Sequence, residues 1–157
     1  MICSNHNRRN AELVKHVLIM ERLPGIRHIA YVDAEALTPH ITLQALAKIP
    51  VGIFARLFPI SFDKRTALCE TETEFDNNAS LETATLTFNS SVELPLDIKL
   101  CFVITLVNGE QWLLGTHEPP FPFVGKEATS GLPDGDANYI KYTVNYTNKV
   151  ALVRVFP

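Results

Sequence analysis

Apolar residues fall along this chain in short runs, most of them alternating with polar positions, and Asn, Gly and Pro punctuate the gaps. The densest runs are Leu-Cys-Phe-Val-Ile-Thr-Leu-Val at 100–107 and Glu-Gln-Trp-Leu-Leu-Gly at 110–115, separated by Asn108-Gly109. Both central residues of a type I′ turn need positive φ, which Asn and Gly tolerate best, so the pattern predicts a β-hairpin. Its first strand has almost no polar position. Both faces are therefore expected to be covered, which places it near the middle of a sheet or sandwich. Phe102, Ile104, Leu106, Trp112 and Leu114 are the expected core.

A second hairpin is predicted upstream. Residues 68–76 read Leu-Cys-Glu-Thr-Glu-Thr-Glu-Phe-Asp, Asn77-Asn78 forms the turn, and 81–89 return with Thr83, Thr85 and Thr87 alternating against Ala84, Leu86 and Phe88. Alternation puts Glu70, Glu72, Glu74 and Asp76 on one face, and Cys69, Thr71, Thr73 and Phe75 on the other. Further strands are expected at 26–32, at 138–146 and at 150–156, and Val51 to Phe62 is confined by Pro59 to an edge or bulged strand. Thr38-Pro39 suits a helix start, with 41–49 as a short helix stopped by Pro50, although 33–50 also reads as loop. Residues 1–10 read as a flexible arm. In 11–23, Leu13, Val14, Val17 and Leu18 are spaced for a short amphipathic helix behind Asn10, and the β-branched content keeps a strand open. Residues 116–137 hold Pro119, Pro120, Pro122, Pro133, Gly125, Gly131 and Gly135 and read as one long loop. The whole predicts a single mainly β domain over 11–157, a β-sandwich or partly open barrel of about seven or eight antiparallel strands with one or two short helices.

Composition narrows the function classes. With 157 residues and 46% hydrophobic content, the chain has material for a real core and too much of it for disorder. Net charge is −3, so it is not a basic nucleic-acid-binding domain. The charge is uneven. Residues 1–65 carry nine Lys/Arg against five Asp/Glu, and 66–157 carry five against twelve. That imbalance reads either as ordinary solvated faces or as two poles that dock head to tail. The three cysteines, Cys3, Cys69 and Cys101, are too few and too scattered for a disulfide framework or a zinc site. No apolar stretch approaches the roughly 18 residues of a membrane span. No small-residue cleavage site follows the N-terminal segment, so no secretory signal peptide is expected.

Motif chemistry is sparse. Asp134-Gly135-Asp136 begins like a calcium loop, but the sixth and twelfth positions are Tyr139 and Asn145 where Gly and Glu are required. Gly125-Lys126 lacks the upstream Gly of a phosphate loop, and the five histidines are scattered. No catalytic residue, metal ligand or cofactor site is expected. The acidic ladder Glu70, Glu72, Glu74 and Asp76 admits three uses: a solvated face that discourages aggregation, the lining of a passage for a polyanion that must not stick, or a cation site.

Several short motifs carry a resemblance to structural proteins of phages and prophages of Bacteroides-type bacteria. They are Gly25-Ile26-Arg27-His28-Ile29-Ala30-Tyr31, the acidic strand with its Asn turn, Asn108-Gly109 with Trp112-Leu113-Leu114-Gly115, Glu118-Pro119-Pro120, and Ser130-Gly131-Leu132-Pro133-Asp134. The chain departs from that group in its longer basic N-terminal segment. The resemblance implies a non-enzymatic virion component, often of the tail, with a β-sandwich that assembles into rings. It would be made in the cytoplasm and then packed into the virion. The partners would be copies of the chain and other virion proteins, with DNA passing without adhesion through an opening lined by the acidic ladder, and no membrane. The Pro119, Phe121 and Phe123 loop would be the subunit contact. The competing expectation is a small-molecule or carbohydrate-binding β-sandwich, with that loop forming the site.

Overall fold

The computed structural model describes residues 19–22, 25–76, 79–129 and 139–156. The predicted arm at 1–10, most of the segment at 11–23, and residues 130–138 lie outside them. The described chain is a sandwich of two five-stranded antiparallel sheets, with strand orders β1-β4-β5-β9-β8 and β10-β7-β6-β2-β3. The strands are β1 (Ile19–Arg22), β2 (Ile26–Asp33), β3 (Phe58–Ile60), β4 (Leu68–Asp76), β5 (Ala79–Ser90), β6 (Leu100–Leu106), β7 (Gln111–Leu114), β8 (Phe123–Thr129), β9 (Tyr139–Asn148) and β10 (Leu152–Val155), with one short helix, α1 (Ile41–Leu46).

The strand β6 is the third of five in its sheet, as its unbroken apolar sequence requires. Alternation divides it between two cores. Leu100, Phe102, Ile104 and Leu106 face the other sheet and meet Leu86, Phe88, Tyr142 and Val144. Cys101 and Val103 face outward, where the excursion from Ala34 to Ile53 covers them with Leu37, Ile41, Ala45 and Ile53. Fully burying a side chain of this size stabilises by about 1.5–3 kcal/mol. The second core is why the sequence pattern shows no polar face here.

The predicted hairpins hold in register. Phe102 lies opposite Leu114 and Ile104 opposite Trp112. Gly109 takes φ 88° in the turn but Asn108 does not have positive φ, so the hairpin is closed by a turn other than the type I′ that Asn-Gly suggests, and Asn108 Oδ1 accepts from the Glu110 amide at 3.0 Å. Glu70 lies opposite Thr85 and Glu72 opposite Thr83. Pro59 sits in the edge strand β3, opposite Ala30, where its missing N–H costs no ladder bond.

Three expectations are corrected. The 116–137 segment is not one loop, because Phe123–Thr129 forms β8, pairing along β9 from Phe123↔Asn145 to Thr129↔Tyr139. Turn-forming residues there mask a strand in which Val124 packs against the core between the sheets. The helix at 41–49 ends at Leu46, and its cap is His40, in the left-handed conformation with no side-chain cap bond, rather than Thr38. Thr38 instead donates its hydroxyl to Gln44 Oε1 at 3.1 Å. At the N-terminus, residues 19–22 form a strand, β1, paired with β4 from Ile19↔Thr73 to Arg22↔Glu70.

Polar groups inside the sandwich are satisfied. The Tyr142 hydroxyl donates to Val92 O at 2.9 Å and accepts from the Leu94 amide at 3.1 Å, which pins the β5–β6 connection to the core. Among the described residues no buried side-chain nitrogen or oxygen lacks a partner.

Candidate functional site

Two unlike surfaces stand on opposite sides of the sandwich. The first is the outer face of the sheet that holds β4. Cys69 is buried between the sheets, so its neighbours in alternation, Glu70 and Glu72, and after them Glu74, face outward. They share that face with Thr83, Thr85 and Thr87 of β5 and with Thr143, Asn145 and Thr147 of β9. The hydroxyls of Thr83 and Thr147 are 3.0 Å apart, and Thr85 donates to Asn145 Oδ1 at 3.1 Å. The threonines thus form a hydrogen-bonded polar floor beside the acidic row. Asp76 ends β4 opposite Ala79.

The three residues of the expected contact loop separate. Pro119 is exposed. Phe121 instead packs against the second core, with Lys99 Nζ 5.8 Å from its ring centroid, because the β7–β8 connection folds back over the sheet rather than projecting. Phe123 is 69% exposed. It opens β8 opposite Asn145, and a ring carbon lies 4.0 Å from where a Cβ on Gly125 would stand. The acidic ladder and Phe123 therefore share one face, in a cross-strand row of Glu70, Thr85, Asn145 and Phe123.

The second surface was not anticipated. Ile41 and Ala45 anchor α1 in the second core, and the rest of the helix and its exit stand in solvent. Leu43 is 64%, Leu46 56% and Ile49 50% exposed. The helix lies beside the edge strand β10. There Leu46, Trp112, Leu152, Val153 and Phe156 line a shallow cleft of about 350 Å³. The signal was in the sequence: Ile41, Leu43, Ala45, Leu46 and Ile49 are too many apolar positions for one face of a surface helix.

The clefts offer little reactive chemistry. One of about 200 Å³ is lined by His40, His117 and Glu118 among others, and His117 Nδ1 lies 3.1 Å from Ala34 O. Among the described residues no group of three His, Cys, Asp or Glu could hold a metal ion. The two described cysteines are buried and free. Burial, with a smaller push from the charge of Glu70, raises the Cys69 thiol to about 12, and burial, aided by Asp33, does the same to Cys101. Thiols held protonated are poor nucleophiles. Among the described residues no helix is long and apolar enough to cross a membrane.

Comparison with known proteins finds no match: no family model, curated protein or solved structure aligns significantly with the chain.

Proposed function

We propose that this chain is a non-enzymatic structural protein that assembles with copies of itself, a virion component of the phage and prophage kind its short motifs resemble. One observation carries the reading: Leu43, Leu46 and Ile49 all stand at least half exposed on α1 and its exit, beside a cleft at the edge of a sheet. Clustered apolar residues in solvent mark a surface that meets another protein. The opposite side of the sandwich is acidic and threonine-rich, so the molecule presents two different faces. A contact between the α1 patch of one copy and a different surface of the next is heterologous, and such contacts close into rings or run on as tubes. In such an assembly Glu70, Glu72 and Glu74 stay wet and repel phosphates from any opening they border. Replacing Leu43 and Leu46 together by Glu tests the reading. Both are solvent-facing, so the fold is expected to survive by circular dichroism while sedimentation shows loss of the assembled species. An unchanged sedimentation profile contradicts it.

A second reading, a carbohydrate-binding β-sandwich, rests on Phe123. Its exposed ring lies by Gly125, in a row with Asn145 and Thr85, as an apolar platform beside hydrogen-bonding groups would. Titration with neutral oligosaccharides, followed through amide shifts on β5, β8 and β9, tests it. Shifts lost in Phe123→Ala support it, and none in the native chain contradicts it.

A further inference from the structure

The strand β10 is the outer edge of its sheet, and the hydrogen-bond pattern fixes which of its main-chain groups face outward. The Leu106 amide donates to Glu110 O at 2.9 Å, so that pair is hydrogen-bonded across β6 and β7. Bonded and non-bonded pairs alternate along an antiparallel ladder. Trp112 and Leu114 therefore aim their main-chain groups at β6, and Gln111 and Leu113 aim theirs at β10. Opposite Gln111 and Leu113 stand Val155 and Val153. That leaves Leu152 and Arg154 with both N–H and C=O turned outward. Phe156, next in the alternation, agrees: its carbonyl accepts from the Val51 amide at 3.0 Å. Among the described residues no main-chain group pairs with the outward groups of Leu152 and Arg154.

The cleft of about 350 Å³ follows this edge. Its lining takes Trp112 and Leu152 from the face toward the other sheet, and Ala45 and Val153 from the outer face. A space that reaches both faces of an edge strand lies where the next strand of the sheet would run. Lys48 lines it too. This residue follows α1 with φ 60°. Its amide donates to Ala45 O at 3.0 Å, and the Ile49 amide donates to Gln44 O at 2.9 Å. Those two bonds make a Schellman cap, whose left-handed position glycine fills best. A lysine held there sets a cation at the cleft, and among the described residues no carboxylate pairs with it.

An open edge between apolar walls, with a free cation beside it, fits an added strand that carries apolar side chains and a carboxylate. The strand β8 has that chemistry. It is the outer edge of the other sheet, and its seven residues include Glu127 and no proline. By contrast, β3 contains Pro59, and β10 itself has no carboxylate to offer Lys48. Phe123, Gly125 and Glu127 alternate onto one face of β8, and Phe123 and Glu127 are exposed.

We infer that β8 of one copy adds to the free edge of β10 of the next, with Phe123 against Leu46 and Glu127 against Lys48. This rests on the reading that copies assemble, and it names the surface that the α1 patch meets. The contact joins two unlike edges, so it is heterologous and repeats from copy to copy.

Charge reversal and hydrogen exchange test it on the full chain. Lys48→Glu and Glu127→Lys are each expected to weaken association several-fold by sedimentation, and the two together to restore it. Lys48→Gly, which suits the cap, is expected to weaken association while the thermal transition persists. In the assembled native chain, exchange should slow at the Leu152 and Arg154 amides, and far less at Val153 and Val155, which already bond β7. Single variants that associate like the native chain overturn the inference, as does a double variant no better than either single. So does assembly that leaves the Leu152 and Arg154 amides unprotected. Protection that ignores the charge at Glu127 means another occupant, such as β10 of a second copy, and overturns it as well. The two readings fail separately. A native multimer with any of these results refutes the β8–β10 contact and keeps assembly, whereas a native chain that stays monomeric refutes both.

Discussion

At Gly115 the backbone has φ +116°, and a Cβ there would stand 2.5 Å from Cys101 Sγ. Strain and overlap act together, so Gly115→Ala is expected to lower stability by about 1–3 kcal/mol in chemical denaturation. A loss within error would show that the β7–β8 connection does not press on the second core. The buried thiols give a pH signature. Each ionises at its ordinary value of 9.0 in the unfolded chain and near 12 in the fold. A raised folded pKa contributes its stability fully below pH 9 and loses it as pH climbs toward 12. Stability should therefore fall over that window, and less steeply in a Cys69→Ala, Cys101→Ala double variant. The same thiols should resist a thiol reagent at pH 8 until the protein unfolds. Single residues of this kind were only partly legible in the sequence. Cys101 could be read as a buried small hydrophobe from its apolar run, but nothing local announces that Gly115 faces it, because that contact depends on how the chain returns over the sheet.

Among the elements, the hairpins were legible for different reasons, the β6–β7 pair from two apolar runs around Asn108-Gly109 and the β4–β5 pair from period-two alternation, its expected turn at Asn77-Asn78 lying outside the described residues. The central place of β6 was legible because a strand with two apolar faces needs cover on both. The strand β8 was not, since Pro119, Pro120 and Pro122 precede it and Gly125 interrupts it, and those residues dominate a local reading. Its strandhood comes from pairing with β9, a tertiary partner. The helix α1 was placed but overextended, ending at Leu46 rather than at 49. Deleting residues 119–131 is now expected to unfold the domain rather than release a loop, because it removes β8 together with Phe121 and the buried Pro122. Loss of the cooperative thermal transition would show this. A deletion variant that keeps that transition would mean the sheet ends stably at β9.

For the whole molecule, the sandwich gives one sheet an acidic, threonine-rich outer face. Alternation from the buried Cys69 puts Glu70, Glu72 and Glu74 there, and Asp76 ends β4 opposite Ala79. The largest exposed aliphatic side chains on the helix and its exit, Leu43, Leu46 and Ile49, lie away from the expected loop, of whose three named residues only Pro119 and Phe123 stand exposed. Two unlike faces on opposite sides, one apolar and one acidic, make the central claim that copies of the chain associate. The most direct test is the molar mass of the full-length chain by light scattering over a series of protein concentrations at physiological salt. The account predicts a mass that rises with concentration to a multiple of 17.5 kDa. A mass of 17.5 kDa at every concentration would contradict it.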